Sequence, residues 1–144
     1  MVDIYRKTHN YASCILDAAI NAYIYHGGNN ITEEEYEGLV DACGCRYGSV
    51  TRIEPALDYL GLIMFEGMWD LDWIRMNLPV ALGIQDPHYG NHEILIVKVV
   101  GNNLRLINST YEIICWDELC RLRLGENFTL SYPKSYQWIK EKEI

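Results

Sequence analysis

The sequence predicts an α+β fold, with helices in the first half of the chain and an antiparallel sheet in the second. Before residue 62 the apolar residues recur at intervals of three and four, which is the period of an amphipathic helix. After Pro79 they form short runs separated by turn residues, which is typical of strands. The 144 residues fit one domain, residues 1–144, with a core over about 9–132 and a tail over 133–144.

The first predicted helix begins at Cys14, has Ser13 as a candidate N-cap and ends before Gly27. One face of this helix is apolar and comprises Cys14, Ile15, Ala18, Ala19, Ala22 and Tyr23. Thr32 and Glu35 have the spacing of a capping box, which predicts a second helix that runs to about residue 42.

A third helix start is indicated at residues 49–51, with Pro55 in the first turn and Gly61 at the end of the helix. Residues 62–65 read as a short strand. A further helix is predicted over residues 71–78, with Asp70 as its cap.

Five more strands are predicted in the second half, at residues 80–84, 93–100, 104–108, 112–115 and 127–132. Gly101, Asn102 and Asn103 form a tight hairpin signal, because glycine and asparagine tolerate positive φ angles. This hairpin indicates an antiparallel sheet. A short helix near residues 116–122 interrupts the strands.

Composition and charge exclude several classes of function. Twenty acidic and 12 basic residues give a net charge of −8, which argues against a nucleic-acid partner. The longest uncharged apolar stretch, at residues 94–97, is far too short to cross a bilayer, and no signal peptide is visible. The five cysteines form no spaced disulfide framework. We therefore expect a cytoplasmic protein without a membrane partner.

Three residues have the types and positions needed for nucleophilic catalysis. Cys14 begins a helix, where backbone N–H groups and the helix dipole stabilise a thiolate. His92 enters the strand before the predicted hairpin, and Asn108 ends the strand after it. With the turn at residues 101–103, His92 and Asn108 lie at the same open end of the hairpin, so Asn108 is placed to orient the imidazole.

The order Cys, His, Asn on a helix followed by a hairpin resembles papain-like cysteine peptidases, and most closely the small bacteriocin-processing, double-glycine-leader peptidase domains. The resemblance covers most of residues 9–132. It rests on an ordered set of segments: the cysteine helix at 14–28, the capped helix at 32–42, Gly61-Leu62, Pro79-Val80, Asn91-His92, Leu106-Ile107-Asn108 and residues 115–119. It implies a papain-like fold, in which the nucleophile helix packs on the C-terminal antiparallel sheet.

The chain departs from this family beside the nucleophile. Family members usually have a glutamine six residues before the cysteine, whose amide helps to hold the oxyanion, and Thr8 stands at that position here. Asn10 is the expected substitute in the oxyanion hole. Asn108 stands where this branch of the family usually has aspartate, and Ile15 follows the cysteine where glycine is common.

These observations predict a cysteine hydrolase, a peptidase or related amide hydrolase, that uses Cys14, His92 and Asn108 on a peptide or protein substrate without a cofactor. Two alternatives remain open: a catalytically inactive papain-like binding or inhibitor protein, for which a viral or mobile-element origin is one option, and a deamidase or acyl transferase with the same triad. His88 is a candidate substrate-binding residue or rival base, and Cys45 with His88 is a different candidate pair. Cys43 and Cys45 match zinc-site spacing poorly, so no metal is predicted.

Overall fold

The computed structural model describes residues 4–7 and 11–131. Within these residues the chain forms five helices: α1 (Cys14–Tyr25), α2 (Glu33–Ala42), α3 (Glu54–Leu60), α4 (Leu71–Met76) and α5 (Trp116–Leu122). It also forms six strands: β1 (Ile63–Glu66), β2 (Val80–Asp86), β3 (Gly90–Val100), β4 (Asn103–Ile107), β5 (Ile113–Cys115) and β6 (Arg123–Ser131). The predicted α+β class is confirmed.

The six strands form one sheet in the order β1-β6-β2-β3-β4-β5, and every neighbouring pair is antiparallel. The last strand is longer than predicted because the backbone of Arg123 is already extended, so the chain passes directly from α5 into β6. The predicted end of that strand at Tyr132 lies outside the described residues.

The helix ends follow the sequence signals with three differences. The first is that α4 ends at Met76 and not at residue 78, because Pro79 disfavours helical backbone in the residue before it. The capping box of Thr32 and Glu35 is present at the start of α2. Ser13 occupies the N-cap position of α1, but its side chain makes no capping hydrogen bond. The third helix begins later than the signal at residues 49–51, because the Thr51 hydroxyl donates to the carbonyl of Cys43 and does not cap a helix.

The sheet is covered on both faces, and this places α1 against the middle of the sheet. Leu95 and Val97 of β3 belong to a core cluster with α1, α2 and α3. Their neighbours Ile94 and Ile96 point to the opposite face and belong to a second cluster, with residues of α4 and α5. Burial on both faces explains the continuous apolar run at residues 94–97. Among the described helices, none is long and apolar enough to cross a membrane.

Candidate active site

Cys14 is the first residue of α1 and lies beside β3, against which this helix packs. Its side chain is partly buried. Burial raises the pKa of the Cys14 thiol, and the Glu93 and Asp17 carboxyl groups raise it further. Hydrogen bonding from the backbone N–H groups of Glu93 and Ile15 acts in the opposite direction without outweighing burial. The thiol is therefore stabilised in its neutral form, although a helix start favours a thiolate.

His92 lies near the start of β3 and is buried. Its Nε2 atom is 2.5 Å from the backbone carbonyl oxygen of Asn108. A carbonyl oxygen only accepts hydrogen bonds, so this contact requires a proton on Nε2. In the neutral imidazole, Nδ1 then carries the lone pair that can accept a proton.

Asn108 adjoins His92 as the sequence predicts, but it contacts the imidazole through its main chain. It follows β4 directly and has a φ of 64°, a left-handed conformation that asparagine tolerates. Both polar atoms of its side-chain amide are buried without a hydrogen-bond partner among the described residues. The orienting role of Asn108 stays a prediction, and the contact that would serve it is the carbonyl, which the conformation of residue 108 turns toward the ring.

Asp86 ties together the two loops on either side of His92. It is the last residue of β2 and is 1% exposed. Its carboxylate accepts hydrogen bonds from the backbone N–H groups of His88 and Tyr89. It also accepts from the hydroxyls of Ser109 and Thr110 and from the N–H of Thr110. The turn before His92 and the loop after Asn108 therefore share one buried anchor.

The sequence analysis did not single out Asp86, which stands two residues before His88. An aspartate two residues before a turn is a recognisable Asx-turn signal, so its hydrogen bonds to the turn could be predicted from the local sequence. Its contacts with Ser109 and Thr110 cross the sheet and carry no local signal. Burial raises the pKa of Asp86, but hydrogen bonds from Thr110, His88 and Tyr89 outweigh it and hold the pKa well below its usual range.

Tyr89, which the sequence analysis did not single out, packs on the imidazole of His92. The two ring centroids lie 4.9 Å apart, with an interplanar angle of 33°. His88 is exposed and its ring packs edge-on against Tyr89. His88 is not among the described residues that line the cavity at Cys14, so its predicted contact with substrate would have to come from outside this cavity.

Cys14 and His92 line one open cavity of about 340 Å³. Its other lining residues come from the segment before α1, the loop before α3 and the turn before β3: Tyr11, Ala12, Ser13, Ile15, Ser49, Val50, Tyr89 and Asn91. The structure thus brings together the predicted nucleophile and the predicted base. Asn10, the predicted oxyanion-hole residue, lies outside the described residues.

A buried polar network lies one helical turn along α1 from the nucleophile. Asp17 is 1% exposed and accepts hydrogen bonds from the hydroxyls of Tyr36 and Ser13. Burial raises the pKa of Asp17 to about 7, although these two hydrogen bonds oppose the shift. The guanidinium of Arg6 stacks over the Tyr36 ring, 3.7 Å from its centroid. This network uses the Ser13 hydroxyl, which explains why Ser13 does not cap α1.

The alternative pair of Cys45 and His88 is not supported by the placement of its members. Cys45 is 0% exposed in the core below α1 and α2, and its thiol donates to the carbonyl of Val40. His88 is exposed on the turn between β2 and β3. Among the described residues, no group of three or more His, Cys, Asp or Glu side chains is arranged to hold a metal ion.

No protein-family model matches the sequence, and no curated protein is significantly similar to it in sequence. Several solved protein structures are similar to this chain in fold. The peptidase domain of Streptococcus ComA, a bi-functional ABC transporter involved in quorum sensing, is 14% identical with a TM-score of 0.63, over 92% of this chain and 95% of that domain. A double-glycine-motif protease from an AMS/PCAT transporter, solved with its leader peptide, is 16% identical with a TM-score of 0.63, over 87% and 88%.

The N-terminal peptidase C39-like domain of the toxin secretion ATP-binding protein from Vibrio parahaemolyticus is 16% identical with a TM-score of 0.52, over 80% of this chain and 96% of that domain. At these levels of identity the likeness establishes the fold. The chain has the papain-like fold of the peptidase domains of bacteriocin-processing transporters, as the sequence predicted.

Proposed function

We propose that this chain is a cysteine hydrolase that cleaves a peptide or a related amide, with Cys14 as nucleophile and His92 as general base. The observation that carries the proposal is the shared cavity of these two residues within a peptidase fold. A peptide substrate agrees with the leader peptide bound by one similar protease.

The chemistry starts from a neutral thiol, since burial raises the pKa of Cys14. Nδ1 of His92 takes the thiol proton while the sulfur attacks the carbonyl carbon of the substrate. The tetrahedral intermediate collapses, the C–N bond breaks and the imidazolium gives its proton to the leaving amine. Water, deprotonated by His92, then attacks the thioester and releases the acid and the thiol.

The orientation of the His92 ring is fixed through its second nitrogen, Nε2. The carbonyl of Asn108 fixes Nε2–H, and the ring of Tyr89 covers one face of the imidazole. We assign the oxyanion to the backbone N–H of Cys14 at the start of α1, together with Asn10 as predicted from the sequence. A deamidase or acyl transferase would use the same steps with a different leaving group or acceptor.

One observation favours the alternative of a catalytically inactive binding protein. The partly buried Cys14 thiol has a raised pKa, whereas activated cysteines have a lowered one. A binding protein of this fold would keep its affinity for a partner after Cys14→Ala, and a hydrolase would lose turnover.

The test combines turnover with cysteine labelling. A degenerate peptide mixture is incubated with wild type, Cys14→Ala and His92→Ala, and the products are read by mass spectrometry. Cys115→Ala is the matched control, since Cys115 is exposed and away from the cavity.

The rate of iodoacetamide labelling of Cys14 is measured against pH in parallel. We expect cleavage only in wild type and the control, and slower Cys14 labelling in His92→Ala. Equal cleavage by Cys14→Ala, or labelling that ignores His92, would contradict the proposal.

A further inference from the structure

Glu93 places a carboxyl group beside the nucleophile that the mechanism above does not use. It follows His92 on β3, and its side chain shares a face of the sheet with Leu95 and Val97, since alternate residues of a strand point the same way. This is the face on which α1 packs. The backbone N–H of Glu93 hydrogen-bonds to the Cys14 sulfur, and the charge of the Glu93 carboxyl raises the pKa of that thiol.

The paired strand leaves room for this carboxyl group. Gly83 of β2 is directly opposite Glu93 in the register of the sheet. A Cβ atom at Gly83 would lie 3.3 Å from Oε2 of Glu93 and 3.2 Å from the carbonyl oxygen of Leu124. The backbone of Gly83 does not have the positive φ that would itself favour glycine. Glycine at position 83 therefore leaves the space above β2 free of side-chain atoms, and the Glu93 carboxyl lies at the edge of that space.

Among the described residues, no side chain or backbone N–H donates a hydrogen bond to the Glu93 carboxyl, and no cation pairs with it. Burial raises its pKa to about 7. Glu93 is half-buried, and a partly desolvated carboxylate without a protein partner is costly and calls for a physical explanation. Other acidic residues of this chain do have partners: Arg46 pairs with both Glu37 and Asp41.

We propose that Glu93 is a specificity-determining residue, whose carboxylate binds the cationic side chain, an amine or a guanidinium, of a substrate residue that flanks the bond attacked by Cys14. The inference rests on the proposed function, since it needs Cys14 to mark the reaction centre. A cationic side chain would supply the hydrogen-bond donors and the positive charge that the protein does not provide at this position. The net charge of −8 draws cationic peptides toward the protein in general, and Glu93 selects among them at the site.

The first test measures charge preference at Cys14 without any need for turnover. Methanethiosulfonate reagents that carry an ammonium group, no charge or a sulfonate form the same kind of mixed disulfide with a thiol. Their rates at Cys14 are read by peptide mass spectrometry at about pH 8, where the Glu93 carboxyl is ionised. The ratio of the ammonium rate to the neutral rate removes any change in the pKa of Cys14 itself.

The matched variants are Glu93→Gln and Glu66→Gln, which make the same change of charge. Glu66 is exposed on β1, at one edge of the sheet. We expect the ratio to fall about fivefold in Glu93→Gln, the equivalent of ~1 kcal/mol, and to stay at the wild-type value in Glu66→Gln. An equal fall in both variants would assign the preference to overall charge and overturn the proposal, as would no fall in either.

The second test uses paired peptides that differ only by Lys or Gln next to the cleaved bond. We expect wild type to favour the Lys peptide in kcat/KM and Glu93→Gln to lose that preference. The failures are distinguishable. If Cys14→Ala still cleaves, the proposed function falls and the specificity inference falls with it, whatever the labelling ratio. If cleavage depends on Cys14 but neither ratio responds to Glu93→Gln, the specificity inference alone falls.

Discussion

Replacing Asp86 with asparagine tests whether one buried carboxylate holds the loops around His92. Asparagine offers a single acceptor oxygen. If that oxygen keeps the three hydrogen bonds accepted by Oδ1, the new NH₂ group replaces Oδ2, which accepts from the N–H of Thr110 and from the hydroxyl of Ser109. The hydroxyl can turn and accept from the NH₂ group, but the Thr110 N–H cannot, so two charge-assisted hydrogen bonds are lost and a backbone donor next to the site loses its partner. We expect the free energy of unfolding to fall by about 3 kcal/mol.

Urea unfolding at about pH 7 measures this loss, with Asp72→Asn as the control of equal charge. Asp72 pairs with Arg75 on the surface and has 81% of its side chain exposed, so its replacement should change stability by less than ~0.5 kcal/mol. The same Asp86 variant should slow the labelling of Cys14 if His92 loses its position.

The pH dependence gives a second check. The folded-state pKa of Asp86 is lowered, so its contribution to stability is present above the unfolded pKa of about 4 and is lost as the pH falls below it. The difference between wild type and Asp86→Asn should therefore narrow in acid. A difference below ~1 kcal/mol at neutral pH, or one that persists unchanged at low pH, would refute the role assigned to this carboxylate.

Three further changes test the site and its support. Asn108→Gly keeps the positive φ and the carbonyl that holds His92, so the rate of Cys14 labelling should stay at the wild-type value, whereas Asn108→Ala should lower stability by about 1 kcal/mol in urea unfolding. Tyr89→Ala should reduce kcat by up to about tenfold through loss of the ring contact, and Tyr89→Phe, which keeps the ring, should not. Burial raises the pKa of Asp17 to about 7, so wild-type stability should fall as the pH rises from about 4 toward that value, and Asp17→Asn should flatten this slope in urea unfolding at several pH values.

Local signals in the sequence were enough to predict most of the fold. The capping box at Thr32, the glycine after α3 and the apolar runs after Pro79 each act within a few residues, and the structure follows them. The hydroxyls of Ser13 and Thr51 were misread because their partners, Tyr36 and the Cys43 carbonyl, lie elsewhere in the fold. A hydroxyl binds whichever acceptor or donor the tertiary structure brings to it.

The site shows the same division between local and long-range information. Hairpin register predicted that residues 92 and 108 meet, but it could not tell which group of Asn108 would reach the imidazole. That choice depends on the φ of a single residue, which the sequence constrains only weakly. The role of Glu93, whose carboxyl has no partner among the residues that the structure describes, could not be predicted either, because it depends on Gly83 and Cys14 from other elements.

The strand order has a consequence for how the chain is assembled. β6 inserts between β1 and β2, so Ile63 pairs with Ser131 and Val80 pairs with Thr129. During synthesis both earlier strands leave the ribosome with an unfilled edge, and they stay so until the last strand arrives. Unpaired strand edges of this kind form backbone hydrogen bonds with strands of other chains. Any stall before residue 123 should therefore yield an aggregation-prone nascent chain, although its cysteine helix and its histidine hairpin are already complete.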